Sequence, residues 1–408
     1  MHTHLTTPHP RWGALTGLAL LVAGLAACGG SGSAPATGTL QLAMTDAPAC
    51  GYDHVYVTVN KIRVHQSAAA DGTELLGWRD LNIPAQRIDL LSLTNGVLQE
   101  LGSMPLPAGT YQQVRLVLAD NPANPSTANP LANALVLSGS DTEIPLTTPS
   151  AQQSGFKLKA LFDVQSGQVA DMVLDFDACR SIVKAGASGR YNLKPVVAVI
   201  PRLRTAIEGY VDPSIAANVV VSTRDPDNNL RATLPNPTTG KFTLAFLPEN
   251  TNYTVVVAGQ NLTTAAITNV PVSLAAGVTA LNTAQTAILP AASAMASVAG
   301  VVTNSTNVLL TEAVVSARQT LSTGQVLDVA STGVDVVNAD YSLRLPLAAA
   351  VKATYAPGAV LSFSTDGMVA GRYNVTGSAT DYTTQSTNPV LDLGLENSTT
   401  LKNLVLTP

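Results

Sequence analysis

From Tyr52 to His65 the chain alternates apolar and polar residues with a period of two, and one slip in that rhythm constrains what it can become. Val55, Val57 and Val59 fall on one parity, whereas Ile62 and Val64 continue on the other. Successive side chains of a strand point to opposite faces, so an uncompensated slip would turn two apolar residues to water. A β-bulge near Asn60-Lys61 inserts one residue and restores the register. The opposite face then reads Tyr52, His54, Tyr56, Thr58, followed by Lys61, Arg63 and His65. Strands of this kind build antiparallel sheets with one face on a core and one toward solvent.

The same period recurs along the chain. Leu40, Leu42 and Met44 share a face and lead into Thr45-Asp46-Ala47-Pro48, which reads as a turn because proline interrupts a ladder and Asp can cap nearby backbone. Val114, Leu116 and Leu118 form another apolar row, and between Gln168 and Asp177 the residues Met172, Leu174 and Phe176 point inward while Asp171, Asp175 and Asp177 point outward. Thr94-Asn95-Gly96 is a strong turn signal, and Trp78 reads as core. Charged residues make up 12% of the chain, too few for the salt-bridged surface of a helical cytosolic enzyme, and the abundance of Val and Thr favours strands. The expected fold class is all-β, with tandem antiparallel, Ig-like β-sandwich domains.

A leader is read from Gly13 to Cys28, an uncharged apolar run preceded by Arg11. Its apolar core of about 15 residues suits a secretory signal, whereas a membrane helix needs roughly 20. The ending Leu25-Ala26-Ala27-Cys28 resembles the lipobox of bacterial lipoproteins, which implies that Cys28 carries lipid and becomes the first residue of the mature chain. Several acyl chains on one residue anchor far more firmly than one. Gly29, in place of the Asp that resembles an inner-membrane retention mark, points to the outer membrane. Gly, Ser, Ala and Pro dominate the stretch to Gly38, a flexible tether. The expected division is 1–27 signal, 28–38 tether, 39–202 first sandwich, 205–290 second and 296–408 third.

With Cys28 lipidated, Cys50 and Cys179 remain, and in an oxidising compartment each has one partner. A disulfide is expected, worth about 4–5 kcal/mol from chain entropy; two free thiols or a metal pair are the alternatives. The 27 acidic residues against 22 basic ones, with no basic block, leave no electrostatic footprint for nucleic acid. A hydrolase of the Ser-His-Asp kind would have to use His54 or His65, and no G-x-S-x-G elbow accompanies them. No catalytic constellation is visible, so no enzyme activity and no obligatory cofactor are expected. Asp46, Asp53, Asp175 and Asp177 flank the two cysteines and would be drawn together by a bridge; as oxygen ligands they suit calcium, and as strand-end residues they cap turns. Tyr52, His54 and Tyr56 form either a solvated sheet face or a ligand face for carbohydrate.

Several separated motifs occur in order: Thr45-Asp46-Ala47-Pro48, the Val-x-Val-x-Val strand, Ile88-Asp89-Leu90-Leu91, Leu106-Pro107-Ala108-Gly109-Thr110-Tyr111, Asp175-Phe176-Asp177-Ala178 and Leu193-Lys194-Pro195-Val196. Together they resemble the bacterial lipoprotein domain of unknown function 4382, which implies a sandwich-like module and brings no established activity. Further on, Ile207-Glu208-Gly209-Tyr210-Val211 with Tyr253-Thr254-Val255 and Val298-Ala299-Gly300-Val301-Val302 with Tyr373-Asn374-Val375 repeat a plan similar to carboxypeptidase regulatory-like or transthyretin-like sandwiches. The role implied is binding or structural at the cell envelope, with the membrane reached through the lipid and an envelope protein or glycan as partner.

Overall fold

The computed structural model describes residues 36–47, 51–74, 76–148 and 154–408. The signal, most of the tether, Cys28 and Cys50 lie outside the described residues.

The first stretch supplies β1 (Thr37–Ala47), β2 (Tyr52–His65), β3 (Arg79–Asp89), β4 (Gln99–Pro107), β5 (Gly109–Leu118) and β6 (Ala134–Leu137). It continues with β7 (Glu143–Thr147), β8 (Phe156–Val164), β9 (Val169–Asp177), β10 (Ile182–Lys184), β11 (Tyr191–Leu193) and β12 (Val197–Pro201). One sheet runs β12-β9-β1-β4 and the other β10-β11-β7-β6-β2-β5-β8, with β3 also paired to β2. Leu40, Leu42 and Met44 from the first sheet and Val57, Val59 and Leu116 from the second share one apolar layer. This is a sandwich: two sheets, each hydrophobic on one face, bury those faces against each other.

The bulge sits where the parity slips. Pairing of β2 with both β3 and β5 shifts between Val59 and Lys61, and Val59, Ile62 and Val64 are all fully buried. Along the opposite face Thr58 is the exception, since it is buried and its hydroxyl donates to the Ala132 carbonyl. The sheets are mixed rather than purely antiparallel: β1 pairs β9 in parallel over nine residues, Thr39↔Val169 to Ala47↔Asp177. A parallel pair needs a long connection, which the intervening strands provide. Of the turn expected at Thr45–Pro48, Thr45 to Ala47 are extended instead, because β9 accompanies β1 to Ala47, and Pro48 lies outside the described residues.

The rest of the chain supplies β13 (Ala206–Tyr210), β14 (Val219–Arg224), β15 (Leu230–Thr233), β16 (Lys241–Ala245), β17 (Thr251–Gly259), β18 (Ala265–Val272) and β19 (Val278–Ala280). Then come β20 (Met295–Asn304), β21 (Val314–Thr320), β22 (Val326–Gly333), β23 (Asp340–Pro346), β24 (Val351–Thr354), β25 (Ser364–Thr365) and β26 (Arg372–Ser378). Four short strands close the chain: β27 (Gln385–Ser386), β28 (Leu391–Asp392), β29 (Thr399–Leu401) and β30 (Leu404–Leu406). A second core gathers Ile207, Phe242, Tyr253 and Ile267, and a third gathers Val298, Val315, Tyr341 and Tyr373. Each core contains one fully buried tyrosine whose hydroxyl donates to a proline carbonyl: Tyr111 to Pro107, Tyr253 to Pro248 and Tyr373 to Pro346. The apolar ring fills the core while the hydroxyl satisfies a backbone acceptor that would otherwise be orphaned.

The second and third cores are interlocked. Strand β24, which follows β23, leaves its neighbours and extends the β15-β14-β17-β18 sheet, pairing β18 in parallel from Ala265↔Val351 to Thr268↔Thr354. Val351 N–H donates to Thr264 O and Tyr355 N–H to Thr268 O, both at 2.9 Å. Ala350 and Ala353 are buried there. Placing a carboxylate at this shared position, as in Ala353→Asp, is expected to cost about 2–4 kcal/mol. Because one sheet serves both cores, urea denaturation should show them unfolding in a single shifted transition rather than one core alone.

Candidate functional site at the junction of the cores

Strand β9 shows how the site arises from parity. Met172, Leu174 and Phe176 face the first core, as the alternation requires, and Asp175 and Asp177 face away from it. Away from the core is not toward water here, because the second core covers that face and Val173 beside the aspartates is fully buried. The β1–β9 register sets Thr45 beside Asp175, and Asp46 lies between that pair and the Ala47–Asp177 pair. Three of the four predicted aspartates thus occupy one neighbourhood. Asp53 does not: it is exposed and its carboxylate accepts from Gly139 N–H at 2.9 Å, the bond that chiefly holds its pKa down.

Arg231, on β15, answers the acids. Its guanidinium lies 3.0 Å from Asp175 and 3.1 Å from Asp225, and its side chain is 4% exposed. Asp225 is held further by the Asn229 backbone N–H and side-chain amide. Beside this bridge Asn95, in the left-handed conformation at φ 61°, inserts into the second core's surface. Its amide donates to Leu234 O at 2.9 Å and its carbonyl accepts from Thr243 N–H at 2.9 Å. The second and third cores are joined in a similar way: Asp328 accepts from Arg224 at 2.6 and 2.7 Å and from Arg318 at 2.9 Å. These guanidiniums hold the Asp328 carboxyl below the usual range against the penalty of its burial.

Asp46 has no such answer, and Asp177 has only a longer one, with the Arg180 guanidinium at 3.8 Å. Asp46 is 3% exposed; one oxygen accepts from Ala178 N–H at 3.2 Å and the other has no hydrogen-bond partner among the described residues. Burial, reinforced by the charges of Asp177 and Asp175, pushes its pKa well above the ordinary value. Asp177 caps the helical turn Ala178–Ser181 by accepting from Arg180 N–H at 3.0 Å, and burial raises it to about 6 although the Arg180 guanidinium opposes the rise. Burial raises Asp175 too, with Arg231 opposing.

The four aspartates do not converge on one position. Among the described residues no group of three or more His, Cys, Asp or Glu is placed to hold a metal ion. The expected calcium set of Asp46, Asp53, Asp175 and Asp177 is divided, because Asp53 lies elsewhere and an arginine occupies the place beside Asp175 where a cation would sit. Cys179, next to Asp177 through Ala178, is disulfide-bonded; its expected partner Cys50 is outside the described residues.

The aromatic row on β2 is likewise occupied. His54 stacks on Tyr56 with centroids 5.4 Å apart, and the Arg87 guanidinium lies 3.7 Å over the Tyr56 ring while pairing with Glu143 at 2.7 Å. A Tyr56 ring met by His54 and by a cation is not an open platform for a sugar. His54 Nδ1 lies 2.7 Å from Asp89, an orientation known from triads, but no described residue places a nucleophile on the other ring nitrogen. Tyr52 stands apart, edge-on to Tyr191, and burial lifts its phenol to about 12. Trp78 is buried, as expected, yet it lies under the Arg63 and Arg115 guanidiniums with its indole N–H donating to Asp71 O.

Arg231 and Asn95 were not singled out from the sequence. Alternation in Leu230-Arg231-Ala232-Thr233 would turn Leu230 and Ala232 inward, whereas the structure buries Arg231 and Thr233, so the sequence carried no local signal for this arginine.

Replacing Arg231 by methionine leaves Asp175 and Asp225 buried without a cation. A loss of about 3–5 kcal/mol at pH 7.5 is expected in urea unfolding, smaller toward acid pH because burial raises the Asp175 pKa and lets it take up a proton. The pH dependence of the intact protein follows from Asp46 and Asp177. Their folded pKa values lie above the unfolded ones, so between the ordinary carboxylate range and about 6 the folded state binds more protons. Stability is therefore fully present at the acid end of that window and falls as pH rises through it. Asp46→Asn should raise the melting temperature at pH 7.5 and flatten the decline between pH 5 and 7.

No curated protein matches the chain. Among solved structures, the Bacillus anthracis TIE protein is 10% identical over 91% of this chain and 51% of its own, with a TM-score of 0.20, so the chain spans about half of that protein. A streptococcal ancillary pilin is 9% identical over 90% of this chain and 99% of its own, and BcpA, the major pilin subunit of Bacillus cereus, 11% identical over 91% and 99%; both have TM-scores of 0.17. Residues 37–195, which hold the first core, strand β9 and the cap at Asp177, match the family described as Domain of unknown function (DUF4382).

Proposed function

We propose that this chain is a lipid-anchored protein of the bacterial cell envelope, in the outer membrane, with a structural or binding role rather than a catalytic one. The observation that carries the reading is the use made of the buried charges. Arg231, Asp175 and Asp225 join the first core to the second, and Arg224, Arg318 and Asp328 join the second to the third. Groups arranged for catalysis converge on a cleft and stay available to substrate; these are consumed in holding cores together. The Leu25-Ala26-Ala27-Cys28 ending supports the anchor, the Gly29 to Gly38 tether supports a module held off the bilayer, and a Cys50–Cys179 disulfide would suit an oxidising compartment. The partner in this reading is another envelope protein or a glycan.

Expression in a bacterial host with radiolabelled palmitate tests the anchor. Wild-type protein is expected to carry label and to fractionate with the outer membrane, and Cys28→Ser to lose both; label surviving in the variant would refute the proposed site. Cross-linking in intact cells followed by mass spectrometry is expected to capture one recurrent envelope component.

A further inference from the structure

The first and third cores meet along an open cleft of about 840 Å³, lined by β10, the middle of β20 and the ends of β22 and β23. Its walls are fixed relative to each other. Asp335, beyond β22, accepts from Gly186 N–H of the first core, and Gly333 leaves no room for a β-carbon because the Val183 side chain fills that space. A volume in the range of roughly 300–1,000 Å³ at an interface between packed units is typical of ligand sites.

The side chains facing it are of mixed chemistry, and several of them are uncommitted. Tyr52 presents a half-buried ring, and Leu401, 80% exposed, adds an apolar surface. Lys184 and Ser342 are exposed, and neither side chain, nor the Tyr52 hydroxyl, makes a hydrogen bond among the described residues. Asp340 accepts from Asn338 through one oxygen only, at 3.2 Å, and Asn403 accepts from Val301 N–H at 3.0 Å, which leaves its amide N–H groups to donate. A cation would find few ligands here, since both oxygens of Asp335 already accept from backbone N–H groups. An anion would meet Asp335 and Asp340 against Lys184 alone. Strand β10, three residues long, is a poor edge for an added peptide strand. A polyhydroxylated ring fits: it offers an apolar face to a tyrosine and needs both donors and acceptors around its rim.

We propose that this cleft binds an uncharged oligosaccharide, seated on the Tyr52 ring and hydrogen-bonded by Lys184, Asp340, Ser342 and Asn403. The proposal deepens the binding role above and does not depend on the lipid anchor. Of the residues Tyr52, His54 and Tyr56, it assigns the ligand contact to Tyr52, because Tyr56 is covered and His54 is paired.

The test uses the full-length protein in detergent on an array of neutral oligosaccharides that includes cellotetraose and chitotetraose, followed by titration calorimetry with the saccharide that binds. Binding is expected, and Tyr52→Ala should weaken it at least roughly tenfold. The exposed pair Lys184→Ala and Asp340→Ala, which leaves the core intact, should weaken it several-fold with an unchanged melting temperature. Absence of binding across the array overturns the proposal, and so does binding that survives both sets of substitutions. Palmitate labelling and membrane fractionation of the same variants should be unchanged, so failure of the cleft and failure of the anchor read out separately.

Discussion

A single guanidinium holding carboxylates from two cores is the interaction on which the arrangement depends. Moving charges from water into a protein interior costs several kcal/mol per ion, recovered only with excellent geometry and partners for the remaining lone pairs. Arg231 meets that condition in part: its two terminal nitrogens reach Asp175 and Asp225, Asn229 completes Asp225, and its Nε is buried without a hydrogen-bond partner among the described residues. Among the described residues around it, the carboxylates of Asp46, Asp175, Asp177 and Asp225 outnumber the guanidiniums of Arg180 and Arg231. Burial raises the pKa values of Asp46 and Asp177, so the site can shed excess negative charge by taking up protons as pH falls.

The joints between the cores are of different kinds, and each specifies something an apolar contact could not. Hydrophobic surfaces slide over one another at little cost, whereas a guanidinium between two carboxylates, or an asparagine bonded through both ends of its amide, fixes one relative position. Asn95 does this from a left-handed turn, a conformation that asparagine tolerates better than most residues. Between the second and third cores the constraint is a shared sheet, where strand β24 contributes backbone pairing to β18 and buries Ala350 and Ala353 in the process.

What the sequence disclosed was local. The parity slip between Val59 and Ile62 is visible in fourteen residues, and the bulge that resolves it is where the slip demands. The inward and outward sets of β9 could be read in the same way. That the outward set would be covered could not, because alternation reports which face a residue lies on and is silent about what packs against that face. Thr45 to Ala47 are extended rather than turned for a related reason: β1 is accompanied by a parallel partner about 130 residues away, and no local signal encodes a parallel partner. The His54-Tyr56 row is legible as a polar strand face, but Arg87, which takes up the Tyr56 ring, comes from the next strand.

Each core touches both of the others: the first and second through Arg231 and Asn95, the second and third through β18–β24 and Asp328, the first and third through Gly186–Asp335 and Val183–Gly333. Units joined in a line by single interfaces are expected to move relative to one another. A closed cycle of contacts removes that freedom, since opening any one interface strains the other two. The clefts at these interfaces consequently keep their shape without a ligand, and a ligand entering one does not have to order the walls that receive it. Preorganisation of this kind lowers the entropic cost of binding, which favours occupancy of an open cleft of mixed chemistry.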